Sequence, residues 1–359
     1  MQTFFYSILH FLTDGLCAFS LYSRFAGNEQ WALYLLLYDF CAFVLQMPFG
    51  ALVDALKTRL PGKAAELPFF CALSGAVLTV AGAFLHPAVL GVGNALFHVG
   101  GGIGTITEDR EHRLDGAALG IFVAPGAMGL YLGTVTGQLH DSAWSLHALL
   151  VIAAVYLLLF LAFGLVSRKR EREEENVKTR GRDRVSAPPR KVTWPAAGAA
   201  ALCFLVVMLR SYAGFAIVFS WKTGFLWGFF CTLAVVLGKM AGGLLAARFG
   251  AEEVMTVSLV LAALGYLFSG VPAAGIAALF FFNMTMPVTL YLVADRFRGL
   301  EGFSFGLLTV ALFLGVLPTF FGAPYLLPGG WLGAAVSILS LILLRVSVRL
   351  LEREKRWRS

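Results

Sequence analysis

The feature that most limits what this chain can fold into is a recurrence of apolar stretches, each near twenty residues long, separated by short polar ones. About twenty apolar residues wound as a helix cover a hydrocarbon core of roughly 30 Å. Inside that core no water is present to satisfy an open backbone, so only helices or closed barrels span it. Short segments of alternating hydrophobicity, which mark a membrane barrel, are missing. Of 359 residues only 14% are charged, against roughly 25% in a soluble domain, which excludes a globule bathed in water on all sides. The expected fold is an all-α integral membrane protein of about twelve transmembrane helices. Spans are expected near residues 3–23, 31–53, 66–85, 88–107, 116–138 and 143–166, then near 195–220, 224–247, 253–270, 272–293, 302–324 and 330–350.

The two sets of six define an N-terminal half, 1–166, and a C-terminal half, 194–350. Between them, residues 167–193 hold ten Lys/Arg, five Asp/Glu and Pro188-Pro189, a composition with too little apolar surface to order itself, and a mostly flexible linker is expected. A basic tail, 351–359, closes the chain. The net charge of +7 would suit a nucleic-acid partner if the basic residues were clustered on one face. Instead they sit in loops after even-numbered spans (Lys57, Arg59, Lys63, Arg110, Arg113, Arg248, Arg296, Arg298), in the linker and in the tail. Loops after odd-numbered spans hold only Arg24 and Lys222. Such asymmetry sets topology: both termini cytoplasmic, in the cell (inner) membrane, with the lipid bilayer and not nucleic acid as partner. The first span lacks a basic leader and carries His10 and Asp14, so it is expected to stay in the mature chain. Five cysteines lie inside apolar spans without metal-ligand spacing; neither a disulfide nor a metal site is read.

Adding 193 to a position in the first half often lands on a counterpart in the second: Gly50 on Gly243, Glu108 on Glu301, Pro125 on Pro318, Gly129 on Gly322. Each pair holds the same place within its half. With six spans per half the halves share orientation, as in a parallel-repeat transporter. After span 2 the chain reads Gly50-Ala-Leu-Val-Asp54-Ala-Leu-Lys57-Thr-Arg59, and its echo after span 8 reads Gly243-Leu-Leu-Ala-Ala-Arg248-Phe-Gly250. Span 5 carries Ala124-Pro125-Gly126-Ala-Met-Gly129, where proline removes a backbone donor and small residues permit bending and close packing.

These repeated loops resemble the Gly-x-x-x-Asp-Arg-x-Gly-Arg signature of the major facilitator superfamily. The first copy lacks the Arg and second Gly, the second copy the Asp. Span 5 is similar to the helix 5 motif of superfamily antiporters. His10-Phe-Leu-Thr-Asp14, Leu45-Gln46-x-Pro48-x-Gly50 and Gly91-x-Gly93-x-x-x-Phe97-His98 resemble the fosmidomycin-resistance-type exporters, although Val99-Gly-Gly-Gly stands after His98 in place of Pro-Glu. The resemblance implies Gly50, Asp54, Gly243 and Arg248 as a gating loop motif, Pro125, Gly126 and Gly129 as a helix 5 motif, and a monomer.

Few ionisable residues remain at membrane depth: His10, Asp14, Asp39, His98, Arg210 and Lys239, with His147 near one end of span 6. A charge at the bilayer centre costs at least about 2.5–3.5 kcal/mol, so these side chains are expected to face a cavity or each other. His10 and Asp14, four apart on one helical face, are read as a proton-handling pair or as a hydrogen-bonded lock. Asp39, seven from Gln46, is read as a second proton site or a structural partner. Gln46, Asn94, His98, Arg210, Lys239 and Asn283 are the expected substrate cavity, acids on one half and bases on the other.

The expected function is secondary transport by alternating access. The resemblance favours proton-coupled export of a small amphipathic or anionic solute; proton-linked import of an organic anion or nutrient stays open. An intramembrane enzyme or a non-transporting receptor is the reading of another class. Against the enzyme, no His-Glu-x-x-His or paired-acid motif is found, and no phosphate-cradling loop; no catalytic residue and no cofactor are assigned.

Overall fold

The computed structural model describes residues 2–139, 142–178, 192–322 and 329–358, and among these every regular element is helical. In chain order the helices are α1 (Gln2–Phe25), α2 (Trp31–Arg59), α3 (Leu67–Leu85), α4 (Pro87–Glu111), α5 (Ala117–Gly137), α6 (Ser142–Lys178), α7 (Trp194–Ala216), α8 (Gly224–Phe249), α9 (Ala251–Leu267), α10 (Pro272–Arg296), α11 (Glu301–Phe320) and α12 (Gly329–Arg358). Eleven of them are long and apolar enough to cross a membrane, and α9, at 17 residues, sits at the lower limit of what spans. About twelve transmembrane helices in two six-helix sets is the architecture expected.

Helix ends depart from the hydropathy reading in one direction. The segment Gly50–Arg59, read as a loop, is helix and stops only at Leu60-Pro61. The second copy likewise stays helical through Phe249 and ends at Gly250, φ +95°. Apolar windows close at the first charge, whereas helices stop where a donor is lost or a left-handed residue comes next. For the same reason α6 continues past the expected end at 166 to Lys178 and α12 past 350 to Arg358, through Glu, Lys and Arg, which propagate a helix well. The expected linker thus begins as helix, and its remainder, 179–191, lies outside the described residues.

Besides α1, whose last turn, Leu21–Phe25, is π-helical, three helices are interrupted within their length. α5 interrupts at Ala124, between Ala117–Val123 and Pro125–Gly137. α10 interrupts at Met284. α2 contains a π-helical turn, Phe40–Val44, whose extra residue rotates the two parts of the helix against each other by roughly a quarter turn.

Glycines set the close approaches. A Cβ on Gly126, Gly129 or Gly133 of α5 would strike α1. Between the halves, Gly50 of α2 meets the backbone of Gly302 in α11, and Gly243 of α8 meets Gly120 in α5. The two crossings join corresponding helices of the two sets of six, α2 with α11 and α8 with α5, and both lie at the end of the bundle that carries the basic loops. At this basic end the halves are pressed together.

Candidate functional site

Two helical faces meet in the middle of the first half. α1 places His10 and Asp14 one turn apart, and α4 places Asn94 and His98 one turn apart. His10 Nε2 lies 2.9 Å from His98 Nε2 and 3.1 Å from Asp14 Oδ2. His98 Nε2 lies 3.6 Å from Asp14 Oδ1, to which Asn94 Nδ2 donates at 3.1 Å. His10 and His98 are 7% and 9% exposed, while the Asp14 side chain keeps 19%. Gly126 of α5 closes the other side, since a Cβ there would overlap both His10 and Asp14. The helix 1 pair, the helix 4 pair and the helix 5 motif, read separately from sequence, are one centre.

Hydrogen-bond partners fix which ring nitrogens carry hydrogen. His10 Nδ1 faces the Phe122 carbonyl at 2.8 Å and His98 Nδ1 faces the Asn94 carbonyl at 2.9 Å. A carbonyl only accepts, so both Nδ1 atoms donate. In two neutral rings both Nε2 atoms would then be bare lone pairs pointed at each other. One cation between them removes that conflict. The three ligand atoms of His10, Asp14 and His98 lie within 4.8 Å of one another, a combination that can also ligate a metal ion and that sequence spacing did not reveal. A single carboxylate and the positive Lys239 beyond it favour a monovalent occupant, and a proton is sufficient.

The bases stand on the other half. Lys239 Nζ donates to the Val123 carbonyl at 3.3 Å, at the break in α5. Asp14 and Arg210 are the charged groups acting on Lys239. Arg210, 6% exposed, donates to Thr285 Oγ1 at 3.3 Å, beside the break in α10. Neither base forms an ion pair with a carboxylate among the described residues. Asn283 donates to Leu279 within its own helix.

Asp39 and Gln46 do not share a face as their spacing of seven suggested, because the π turn lies between them. Gln46 is 1% exposed, bonds to the Ala42 carbonyl and leaves Oε1 unpartnered. Asp39 is only half-buried and has no ion-pair partner among the described residues. His147 is exposed.

At the basic end, Asp54 accepts from Gly302 N at 3.0 Å and Phe303 N at 2.8 Å, capping α11 of the opposite half. Ala247 replaces it in the second copy because α5 is already capped from its own half: Asp109 accepts from Gly116 N and Ala118 N, each at 2.9 Å. Beside Asp54, Glu301 of α11 is held by Arg110 of α4 at 2.5 Å and Lys57 of α2 at 3.3 Å. Glu108, expected as its counterpart at an offset of 193, lies instead in the last turn of α4, where it accepts from Thr3 Oγ1 at 2.6 Å, so that pair does not hold the same place in the two halves. Sequence reasoning noticed the Glu108–Glu301 pair but gave Glu301 no role. Arg248 makes no such tie among the described residues; its guanidinium lies over the Phe249 ring at 5.4 Å. A cavity of about 450 Å³ opens next to this cluster, lined among others by Asp109, Arg110, Arg113, Asp115, Tyr291 and Arg298.

No protein-family profile and no curated protein sequence matches the chain. Solved structures do. The chain is similar to the major facilitator superfamily transporter FucP in its outward conformation, at TM-score 0.65 and 14% identity over 96% of each chain. It is similar to the human organic anion transporter MFSD10, at TM-score 0.63 and 17% identity over 96% of this chain and 99% of that one. A bacterial homologue of the iron transporter ferroportin, in an outward-facing state, matches at TM-score 0.56 and 17% identity over 99% and 98%. The chain has the fold of the major facilitator superfamily transporters. At these identities the likeness is one of fold alone, and the narrower fosmidomycin-resistance-type resemblance stays with the motifs that suggested it.

Proposed function

We propose that the chain is a proton-coupled secondary transporter that exports a small amphipathic or anionic solute by alternating access. The observation that carries this reading is the His10–His98 pair, whose two Nε2 atoms at 2.9 Å call for a shared proton, with Asp14 beside them. Unloaded, the centre holds the Asp14 charge; loaded, it is neutral. A site that changes charge between two halves, with Lys239 on the other half, is what a rocking cycle needs to favour one open face over the other. Arg210 and Lys239, without carboxylate partners among the described residues, supply donors for an anionic group on the solute. The Lys and Arg of the basic end support a cytoplasmic position for it. The state described, sealed there by the Gly50–Gly302 and Glu301 contacts, is then outward-facing.

The test uses purified protein in liposomes with a trapped pH-sensitive dye, challenged with a panel of anionic, zwitterionic and neutral amphipathic solutes. Solute-dependent proton movement is expected for at least one anionic member, and Asp14→Asn is expected to abolish it. Solute flux that ignores the pH gradient in the unmodified protein would overturn the proposal. Co-directional movement of proton and solute would select uptake in place of export.

A further inference from the structure

We propose that Lys239 is the positioning residue through which the charge of the His10–His98–Asp14 centre reaches the C-terminal half, with the break in α5 as the joint between them. The inference rests on the proton-coupled reading and adds to it the route by which one half senses the other. Pro125 has no N–H, so the Ile121 carbonyl has no helical partner. With Ala124 in a bend, the next two carbonyls lose theirs as well. Buried carbonyls must be satisfied, and three side chains do so in sequence. Ser7 Oγ donates to Ile121 O at 3.1 Å, His10 Nδ1 to Phe122 O at 2.8 Å, and Lys239 Nζ to Val123 O at 3.3 Å. Two of these donors come from α1 in the first half and the third from α8 in the second. The ring that holds the shared proton and the lysine of the opposite half are therefore bonded to adjacent peptide units of one broken helix.

Packing divides α5 at the same point. Below the break, Gly120 lies on the Lys239 carbonyl and Gly243 of α8; above it, Gly126, Gly129 and Gly133 lie on α1. A change at His10 thus acts on the segment that touches α8. The groups facing the centre are Asp14 and Cys17 from α1, Tyr38 from α2, Asn94 and His98 from α4, Tyr156 from α6 through Thr13, and Lys239 from α8. Lys239 is the only full cation among them. The described state, docked at the basic end, has the two Nε2 atoms set to receive a proton, and until it is taken up the Asp14 charge holds Lys239 against Val123. With a proton aboard, that attraction is cancelled, Lys239 leaves the carbonyl, and the contacts at Gly50–Gly302 are free to part.

The test is hydrogen exchange by mass spectrometry on the full chain at pH 8 and pH 5.5, corrected for intrinsic rates, using peptides that cover 47–59 and 301–310. Acidification is expected to speed exchange there about tenfold or more in the unmodified protein. Lys239→Met is expected to remove that response and Lys239→Arg to keep it. Asp14→Asn, which imitates the loaded centre's loss of charge, is expected to exchange at pH 8 as the unmodified protein does at pH 5.5. A full pH response in Lys239→Met would overturn the assignment while leaving proton coupling intact. An unmodified protein with no pH response would instead remove the proton-coupled reading, and this inference with it.

Discussion

Two imidazole nitrogens at 2.9 Å, each ring backed by a carbonyl that only accepts, form a small device suited to one shared cation. Its surroundings leave little slack. Gly126→Ala would drive a methyl group into His10 and Asp14. Overpacking of that kind costs typically about 1–3 kcal/mol. We expect a lowered thermal unfolding temperature and loss of proton coupling, whereas Ala127→Gly, away from the centre, should leave coupling unchanged. A coupled Gly126→Ala protein would mean the helix 5 glycine does not define the centre. At this scale the sequence was partly legible. The i, i+4 spacing put His10 with Asp14 on a common face, and the rarity of charge at depth marked both of them and His98. What joined the two pairs was a crossing of α1, α4 and α5, and helical periodicity contains no information about crossings. Asp39 was misplaced for a related reason: its spacing from Gln46 assumes an uninterrupted α-helix, and a π turn rarely has a readable signature.

Among elements, capping explains the asymmetry of the repeat. α11 is capped across the halves by Asp54, α5 within its own half by Asp109. Removing an N-cap costs about 0.5–2 kcal/mol, but the two losses should differ in kind. Asp109→Ala weakens α5 whichever face is open, and should lower thermal stability. Asp54→Ala weakens only the state in which the halves are docked, and should instead shift the protein toward opening at the basic end, read as faster hydrogen exchange at Gly302 and Phe303. Equal effects of both substitutions on thermal stability would remove the distinction. The loss of Asp at Ala247 was plain from sequence. Its reason was not, because Asp109 lies outside the repeated loop.

For the molecule as a whole, the two halves meet tightly at one end through paired glycine crossings and the Lys57–Glu301–Arg110 cluster. Glu301 is 5% exposed, whereas Arg110 keeps 30%. Breaking a fully buried pair costs about 3–5 kcal/mol; with solvent at Arg110 we take about 2 kcal/mol for Glu301→Gln, all of it lost from the docked state. A shift of that size changes the ratio of open to docked molecules about thirtyfold. Thr309 of α11 bonds to the Phe43 carbonyl of α2 across the halves. In a Thr309→Cys background, Glu301→Gln should make the thiol reactive from the basic end to a membrane-impermeant maleimide, and unchanged reactivity would show that the cluster does not gate. The all-helical fold and the two sets of six were legible because span length and loop charge are composed into the chain itself. Which end was shut depends on contacts between halves, such as Gly50 with Gly302, that lie far apart along the chain.

The central claim is the shared proton, and ¹⁵N magnetic resonance of the histidine side chains, assigned through His10→Gln and His98→Gln, tests it most directly. On acidification the two rings should take up one proton between them, with both Nε2 signals moving together while both Nδ1 signals stay protonated throughout. Two rings that titrate independently, or an Nδ1 without hydrogen in either, would contradict it.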